Sequence, residues 1–356
     1  MANVPAPVTP ARALVGLTVD GGWKVVELLE RPPTATGGCF SQSYRVISAD
    51  GVPAFLKALD YTEALTNADD PARVLAALTA AYNFERDLLA KCKDRGFSRV
   101  VTILADGKVR VSNSIDGVVQ YLIFEKAAND ARSQMDSGDR FDLALRLRAL
   151  HHVATGLRQL HDLEVAHQDL KPSNVLVFAD CSKVGDLGCA SQKGSVAPRD
   201  MFRIPGDPSY APPELLYDYL PPDWNVRRYA CDVYLLGSMV AYFFTGLGMT
   251  QLWVRFLHPD HRPTVWCGTY AEVLPYIRDA VAHAVESFEQ QIAHAGLRAQ
   301  LGRILRELCD AEPERRGHPK NRLGIRGREY SLERHITEFN LLAWKAALGE
   351  FNRQIL

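Results

Sequence analysis

The chain has 356 residues, 47% of them hydrophobic and 23% charged, with 41 Lys and Arg against 42 Asp and Glu. That length exceeds most single cores and predicts one bilobal unit or two domains, while the ordinary composition argues against wholesale disorder. A formal charge of -1 gives no electrostatic case for nucleic acid or an anionic membrane as the main partner.

Seven cysteines, an odd number with no Cys-x-x-Cys pair, argue against a zinc site or disulfide framework and for a reducing, cytoplasmic setting. Residues 1–20 contain one basic residue, Arg12, and lack the apolar core of a signal peptide. The longest apolar run, 233–244, is too short to span a bilayer and reads as a buried helix.

In chain order, residues 1–21 read as a lead-in, either flexible or packed on the surface. Residues 23–29, 44–47 and 54–59 read as three short strands of an antiparallel sheet, separated by Pro, Gly and Asp turns. Pro71 opens a helix to about residue 93, with Leu75, Leu78, Phe84, Leu88 and Leu89 near helical spacing and Glu85 within it. Strands at 100–104 and 118–124 follow, with a hairpin expected at Asp106-Gly107. Helical patterns then run over 141–161, 227–245, 271–294, 297–310 and 331–352. The second of these is apolar on most faces and predicts a central buried helix. The expected class is therefore α+β: a small antiparallel β lobe with one helix, then a larger, mainly helical lobe. The expected boundaries are a lead-in at 1–21, lobes at 22–124 and 125–330, and a C-terminal helical extension at 331–356.

The chemistry concentrates in His167-Gln168-Asp169-Leu170-Lys171-Pro172-Ser173-Asn174, followed by Asp186-Leu187-Gly188. Asp169 can face a substrate hydroxyl, Lys171 can set a positive charge beside a moving phosphoryl group, and Asn174 and Asp186 offer two hard oxygens for magnesium. Phosphoryl transfer needs those parts because its catalysis is positioning plus charge neutralisation. The 17 residues from Asp169 to Asp186 leave room for a hairpin of strands at 175–178 and 183–185. A single His, Asp or Asn in a loop is usually structural; the joint pattern, with Lys-Pro inside it, is specific.

This stretch resembles the catalytic loop of eukaryotic-type (Hanks-type) Ser/Thr protein kinases, and Asp186-Leu187-Gly188 resembles their magnesium-binding Asp-Phe-Gly with Leu for Phe. The resemblance implies a bilobal protein-kinase-like fold, ATP with Mg2+ (or Mn2+), and transfer to Ser/Thr hydroxyls of a protein substrate. It assigns Asp169 to the substrate hydroxyl, Lys171 to the γ-phosphoryl charge, and Asn174 and Asp186 to the metal. Lys57 resembles the lysine that holds the α- and β-phosphates, and Glu85 its helical ion-pair partner, although a strand-borne Lys or a helical Glu taken alone is an ordinary solvated residue. Gly38, Phe40 and Ser41 belong to what resembles a degraded glycine-rich loop over the phosphates. Phe55 stands where the family roofs the adenine, Leu176 where it supports the ring from below. Phe124 would guard the back of the pocket, and the backbone of the connector Glu125-Lys126-Ala127 would hydrogen-bond adenine. Further on, Gly206-Asp207-Pro208-Ser209-Tyr210-Ala211-Pro212-Pro213-Glu214 resembles the end of an activation segment. Asp232 resembles the buried-helix Asp that holds the catalytic loop, and Arg316 the expected partner of Glu214. Small-molecule kinases of this fold generally lack these three features.

Three departures carry information. Gln168 replaces the Arg that receives an activation-loop phosphate, and an amide has no charge for that dianion, so control by loop phosphorylation is expected to be weak. Asp207 replaces a Thr, and its carboxylate could pair with Lys171 or repel Asp169. Phe55 replaces a small residue, with Ser43 as the compensating neighbour. These departures leave two rival readings, a pseudokinase scaffold and a small-molecule phosphotransferase.

Overall fold

Alternating burial along the first third of the chain builds one antiparallel sheet. The computed structural model describes residues 9–30, 41–115, 117–136, 142–324 and 328–351, so Gly38 and Phe40 lie outside the described residues. The sheet contains β1 (Thr18–Val19), β2 (Trp23–Leu29), β3 (Ser41–Ile47), β4 (Pro53–Leu59), β5 (Ile103–Arg110) and β6 (Val118–Glu125), in the order β1-β2-β3-β4-β6-β5. In β4, Ala54, Leu56 and Ala58 are fully buried, and the two-residue period turns Phe55 and Lys57 to the other face. Register sets Lys57 opposite Ser43 on one side and Leu122 on the other.

Two helices accompany the sheet, α1 (Thr62–Thr66) and the long α2 (Pro71–Asp94). The Asp70 side chain accepts from Arg73 N at 3.1 Å, and Pro71 follows it in the first turn. Such a cap contributes about 1 kcal/mol, and proline at that position forgoes only an N–H that the helix leaves unpaired. Glu85, Leu88, Leu89 and Cys92 are buried along this helix.

Two expectations need correction here. The lead-in is not loose over its described part: Leu14 is fully buried, Tyr44 Oη donates to Ala11 O at 2.6 Å, and residues 18–19 add an edge strand. Asp106-Gly107 is not a hairpin, because both residues pair with β6 inside β5. Gly107 is required there by packing, since a Cβ would lie 2.3 Å from Tyr121 Oη. The stretch between β4 and α2 folds as the short α1, beside the one long helix expected.

Contacts divide the chain into two units, the first comprising residues up to Gly96 together with Val101–Ala128, the second Phe97–Val100 together with Asn129 onward. The second unit contains, in order, β7 (Asn129–Asp130), α3 (Ala131–Asp136), α4 (Leu143–His161), β8 (Val165–Ala166), β9 (Val175–Val177), β10 (Ser182–Val184) and β11 (Ser191–Gln192). The helices α5 (Pro213–Leu216), α6 (Trp224–Thr245), α7 (Met249–Trp253), α8 (Tyr270–Gln290), α9 (Ala295–Leu308) and α10 (Glu333–Ala347) follow. Every residue of α6 from 230 to 243 is buried, which makes it the axis on which α4, α7, α8 and α9 pack. Asp142 caps α4 and Asp223 caps α6, each accepting from the backbone N–H three residues on. Strand β9 pairs with β7 and β10, and β8 pairs with β11. The last helix, α10, packs on α4, with His151 Nδ1 3.0 Å from Ile336 O. Among the described residues no helix is long and apolar enough to cross a membrane.

Candidate active site

The site in the second unit is hung from one buried carboxylate. Asp232, at 0% exposure on α6, accepts from His167 N at 2.8 Å and Gln168 N at 2.9 Å, and lies 2.9 Å from His161 Nε2. Donors of this kind are what make a buried charge tolerable. They also hold Gln168 at φ 66°, a left-handed conformation that costs a non-glycine residue roughly 1–2 kcal/mol. His167 stitches the loop to the strand that follows: its Nε2 lies 2.9 Å from Gly185 O, and its Nδ1 accepts from Asp169 N at 3.2 Å.

Asp169 is thereby set among polar groups that touch both its oxygens. Oδ1 accepts from Asp207 N at 2.8 Å; Oδ2 lies 3.1 Å from Lys171 Nζ and accepts from Asn174 Nδ2 at 3.2 Å. The Asn174 amide also donates to Asp169 O at 2.7 Å, which closes the loop on itself. Burial pushes the Asp169 carboxyl above its ordinary range; Lys171 offsets part of that rise, and Asp186 adds to it. For Lys171, burial works against the charge, but Asp169 outweighs it, with help from Asp207 and Asp186, and the ammonium is held more firmly than usual. Asp207 pairs with Lys171 at 3.6 Å rather than opposing it, and its Oδ1 is occupied by Ser209 N and Oγ. Gly206 has a steric duty: a Cβ there would stand 2.5 Å from Gln168 O and 2.6 Å from Asp169 Oδ1.

Asp186 occupies the left-handed region at φ 59°, ψ 79°, directly after the glycine that His167 holds. Asn174 and Asp186 supply two hard oxygens, which suits Mg2+, an ion that takes most of its remaining ligands from phosphate and water. Among the described residues no group of three or more His, Cys, Asp or Glu could hold a metal by itself.

In the first unit, Lys57 Nζ lies 3.0 and 3.2 Å from the two Glu85 oxygens, and Glu85 is 5% exposed. Strand period and helix face together produce this pair from residues 28 positions apart. Phe55 lies opposite Phe124 across β4 and β6, ring centroids 6.4 Å apart. Ser41 begins β3 opposite Leu59. Glu125 Oε1 accepts from Thr102 N at 2.7 Å, tying the end of β6 to the start of β5. Ala127 is half-buried in the connector, and Leu176 half-buried in β9 of the second unit.

Sequence reasoning anticipated the pair of Glu214 and Arg316, which are bidentate at 2.7 and 2.5 Å and essentially unexposed. Two residues beyond Asp232 on α6, the Tyr234 hydroxyl takes a bond from Trp253 Nε1 at 2.9 Å and joins Thr250, which donates to Ala211 O. Sequence reasoning missed Asp200 and Arg228, which lie in no motif. Arg228 Nη2 is 2.7 Å from Asp200 Oδ1, and its Nη1 donates to Gln168 Oε1 at 3.1 Å. The single signal available was Gln168 itself, an uncharged residue in a position that needs a counterpart.

An antiparallel unit bearing a Lys–Glu pair and a helical unit bearing an Asp–Lys–Asn loop on a buried helical Asp define the protein-kinase fold. Residues 56–253 match the protein kinase domain family, more than half of the chain, and the chain belongs to that family. Over 128 residues it is 33% identical to the serine/threonine-protein kinase SBK1 of Danio rerio, covering 33% of this chain and 32% of that protein. It is 30% identical over 108 residues to an Aurora kinase of Debaryomyces hansenii (30% of this chain, 25% of that protein). It is 38% identical over 94 residues to the serine/threonine-protein kinase AfsK of Streptomyces coelicolor (26% and 11%). The matched stretches thus span at most 32% of the length of these relatives.

Proposed function

We propose that the chain is an ATP- and Mg2+-dependent serine/threonine protein kinase that phosphorylates protein substrates without needing phosphorylation of its own activation segment. The observation that carries this reading is the setting of Asp169. One carboxylate oxygen is held by the Asp207 amide and the other by Lys171 and Asn174, so the group is oriented while its raised proton affinity suits it to accept a hydroxyl proton.

In this mechanism Asp169 orients the substrate hydroxyl and takes its proton as the oxygen attacks the γ-phosphoryl group. Lys171, kept charged by Asp169 and Asp207, stabilises the negative charge on the transferring group. Lys57, kept extended by Glu85, binds the α- and β-phosphates. Asn174 and Asp186 would hold Mg2+, which neutralises phosphate charge when bound.

The Lys57–Glu85 pair speaks against the scaffold reading, and the buried Glu214–Arg316 pair favours a protein over a small-molecule acceptor. All six described cysteines are free, which fits a cytoplasmic setting. Incubation with ATP, Mg2+ and a Ser/Thr peptide library tests the reading. Wild type should transfer phosphate and Asp169→Ala, still cooperatively folded, should not; turnover by the variant, or none by the wild type, rejects it.

A further inference from the structure

Gln168 lacks the charge to hold a phosphorylated segment, yet its side chain is bonded at both ends. Its Oε1 accepts from Arg228 Nη1 at 3.1 Å, and its Nε2 donates to Arg228 O at 3.0 Å. The guanidinium of Arg228 is almost fully buried, and burial without a carboxylate would leave a charge stranded in the unit's interior. That carboxylate is Asp200, 2.7 Å from Nη2, and it comes from the segment that runs from β11 to Asp207. Asp200 is further held by Ser191 Oγ at 2.7 Å and Ala197 N at 2.8 Å. The same segment ends by pressing Gly206 against Gln168 O and donating Asp207 N to Asp169. One path of bonds therefore joins the middle of the segment to the catalytic loop, and the loop to the segment's end.

We infer that Asp200 and Arg228 are positioning residues for phosphoryl transfer: a genetically encoded carboxylate docks segment 191–207 on Arg228 and, through Gln168, sets Asp169. The inference rests on the kinase reading above and supplies the physical basis for its independence from modification. Asymmetric burial suits a docking contact. Arg228 is 4% exposed, whereas Asp200 is 26% exposed, so the arginine is a fixed receptor and the aspartate the arriving group. Ser191, with its hydroxyl on Asp200 and no exposure, is part of the contact and not a surface acceptor for phosphate.

The test uses the full chain with Asp200→Asn, Asp200→Glu and the double variant Asp200→Asn/Arg228→Met, in which no buried charge is stranded. Asp200→Asn should lower kcat toward a peptide about a hundredfold, the size of effect a small misplacement of reacting groups produces. KM for ATP should stay within about twofold. Asp200→Glu should recover most of kcat, and the double variant should regain the melting temperature but not kcat. Phosphatase treatment of the wild type should leave its rate unchanged. Wild-type kcat in Asp200→Asn or in the double variant, no recovery in Asp200→Glu, or inactivation by phosphatase overturns the inference. Hydrogen exchange separates its failure from that of the kinase reading. If the wild type transfers no phosphate, faster exchange confined to residues 191–207 and the catalytic loop of Asp200→Asn still supports the docking contact, and unchanged exchange there overturns it.

Discussion

Two arginine–carboxylate pairs in the second unit have the same chemistry and opposite construction. Arg316 meets Glu214 through two parallel bonds with side-chain exposures of 0% and 1%, and its remaining N–H groups reach Asp310 O, Ala230 O and Ala311 O. Arg228 meets Asp200 through one oxygen, its Nε finds no hydrogen-bond partner, and the aspartate is a quarter exposed. The first pair is over-determined and holds the fold whatever the segment does. The second is buried at one end alone, the end that belongs to α6. Burial of both partners makes a scaffold; burial of one makes a receptor.

The sharpest way to break the contrast is to strand the scaffold arginine. Glu214→Ala should cost about 3–5 kcal/mol of unfolding free energy, read by urea denaturation, because it leaves a buried guanidinium without compensation. A loss as small as that of Asp200→Asn, expected at about 2 kcal/mol, would erase the distinction. Attacking the segment from its other end should separate activity from stability. In Gly206→Ala, the new methyl collides with Gln168 O and Asp169, and kcat should fall about a hundredfold while the cores keep their packing.

Acidity offers a third measure. Burial, only partly offset by Lys171, raises the Asp169 pKa above its ordinary 3.8, so the acid limb of kcat against pH should have its midpoint above that value. The sign for stability follows from the same shift. A folded pKa above the unfolded one favours the fold fully below the unfolded pKa, and that contribution is lost as pH rises through the folded pKa. Asp169→Asn should therefore gain stability relative to wild type at pH 7 compared with pH 4, and a stability difference independent of pH would contradict the assignment.

The smallest effects distinguish the two serines of the segment. Ser191→Ala removes one bond to Asp200 and should cost about 1 kcal/mol with most transfer retained. Ser195, exposed, should tolerate Ala within about 0.5 kcal/mol and at full activity, as phosphopeptide assays would show.

Much of this molecule was legible in one dimension because its chemistry is local. Asp169, Lys171 and Asn174 lie within one turn of loop, so their spacing already brings their side chains together, and the helical and strand periods of α2, α4, α6 and β4 mark their buried faces. The pairing of Lys57 with Glu85 could be named by order along the chain, although the bond depends on where β4 and α2 pack. The turn at Asp106-Gly107 was misread because glycine serves a bend and a close contact equally well, and the Tyr121 hydroxyl that claims the space arrives from another strand. The lead-in was misread for a similar reason: Leu14 has no periodic neighbours to announce its burial, and the core that receives it is assembled from β3, β4 and β6.

By itself, the sequence determined the family, the α+β class and the local grouping of Asp169, Lys171 and Asn174 in one loop, since these rest on short-range spacing and hydrophobic period. The tertiary structure alone decided how the loop is held. Asp200 and Arg228 are separated by 28 positions and mean nothing as a pattern, because an ion pair is specified by distance and burial, which no linear spacing encodes. Gln168, the uncharged residue that precedes Asp169, is bonded to an arginine on α6 whose carboxylate partner lies in the segment between β11 and Asp207.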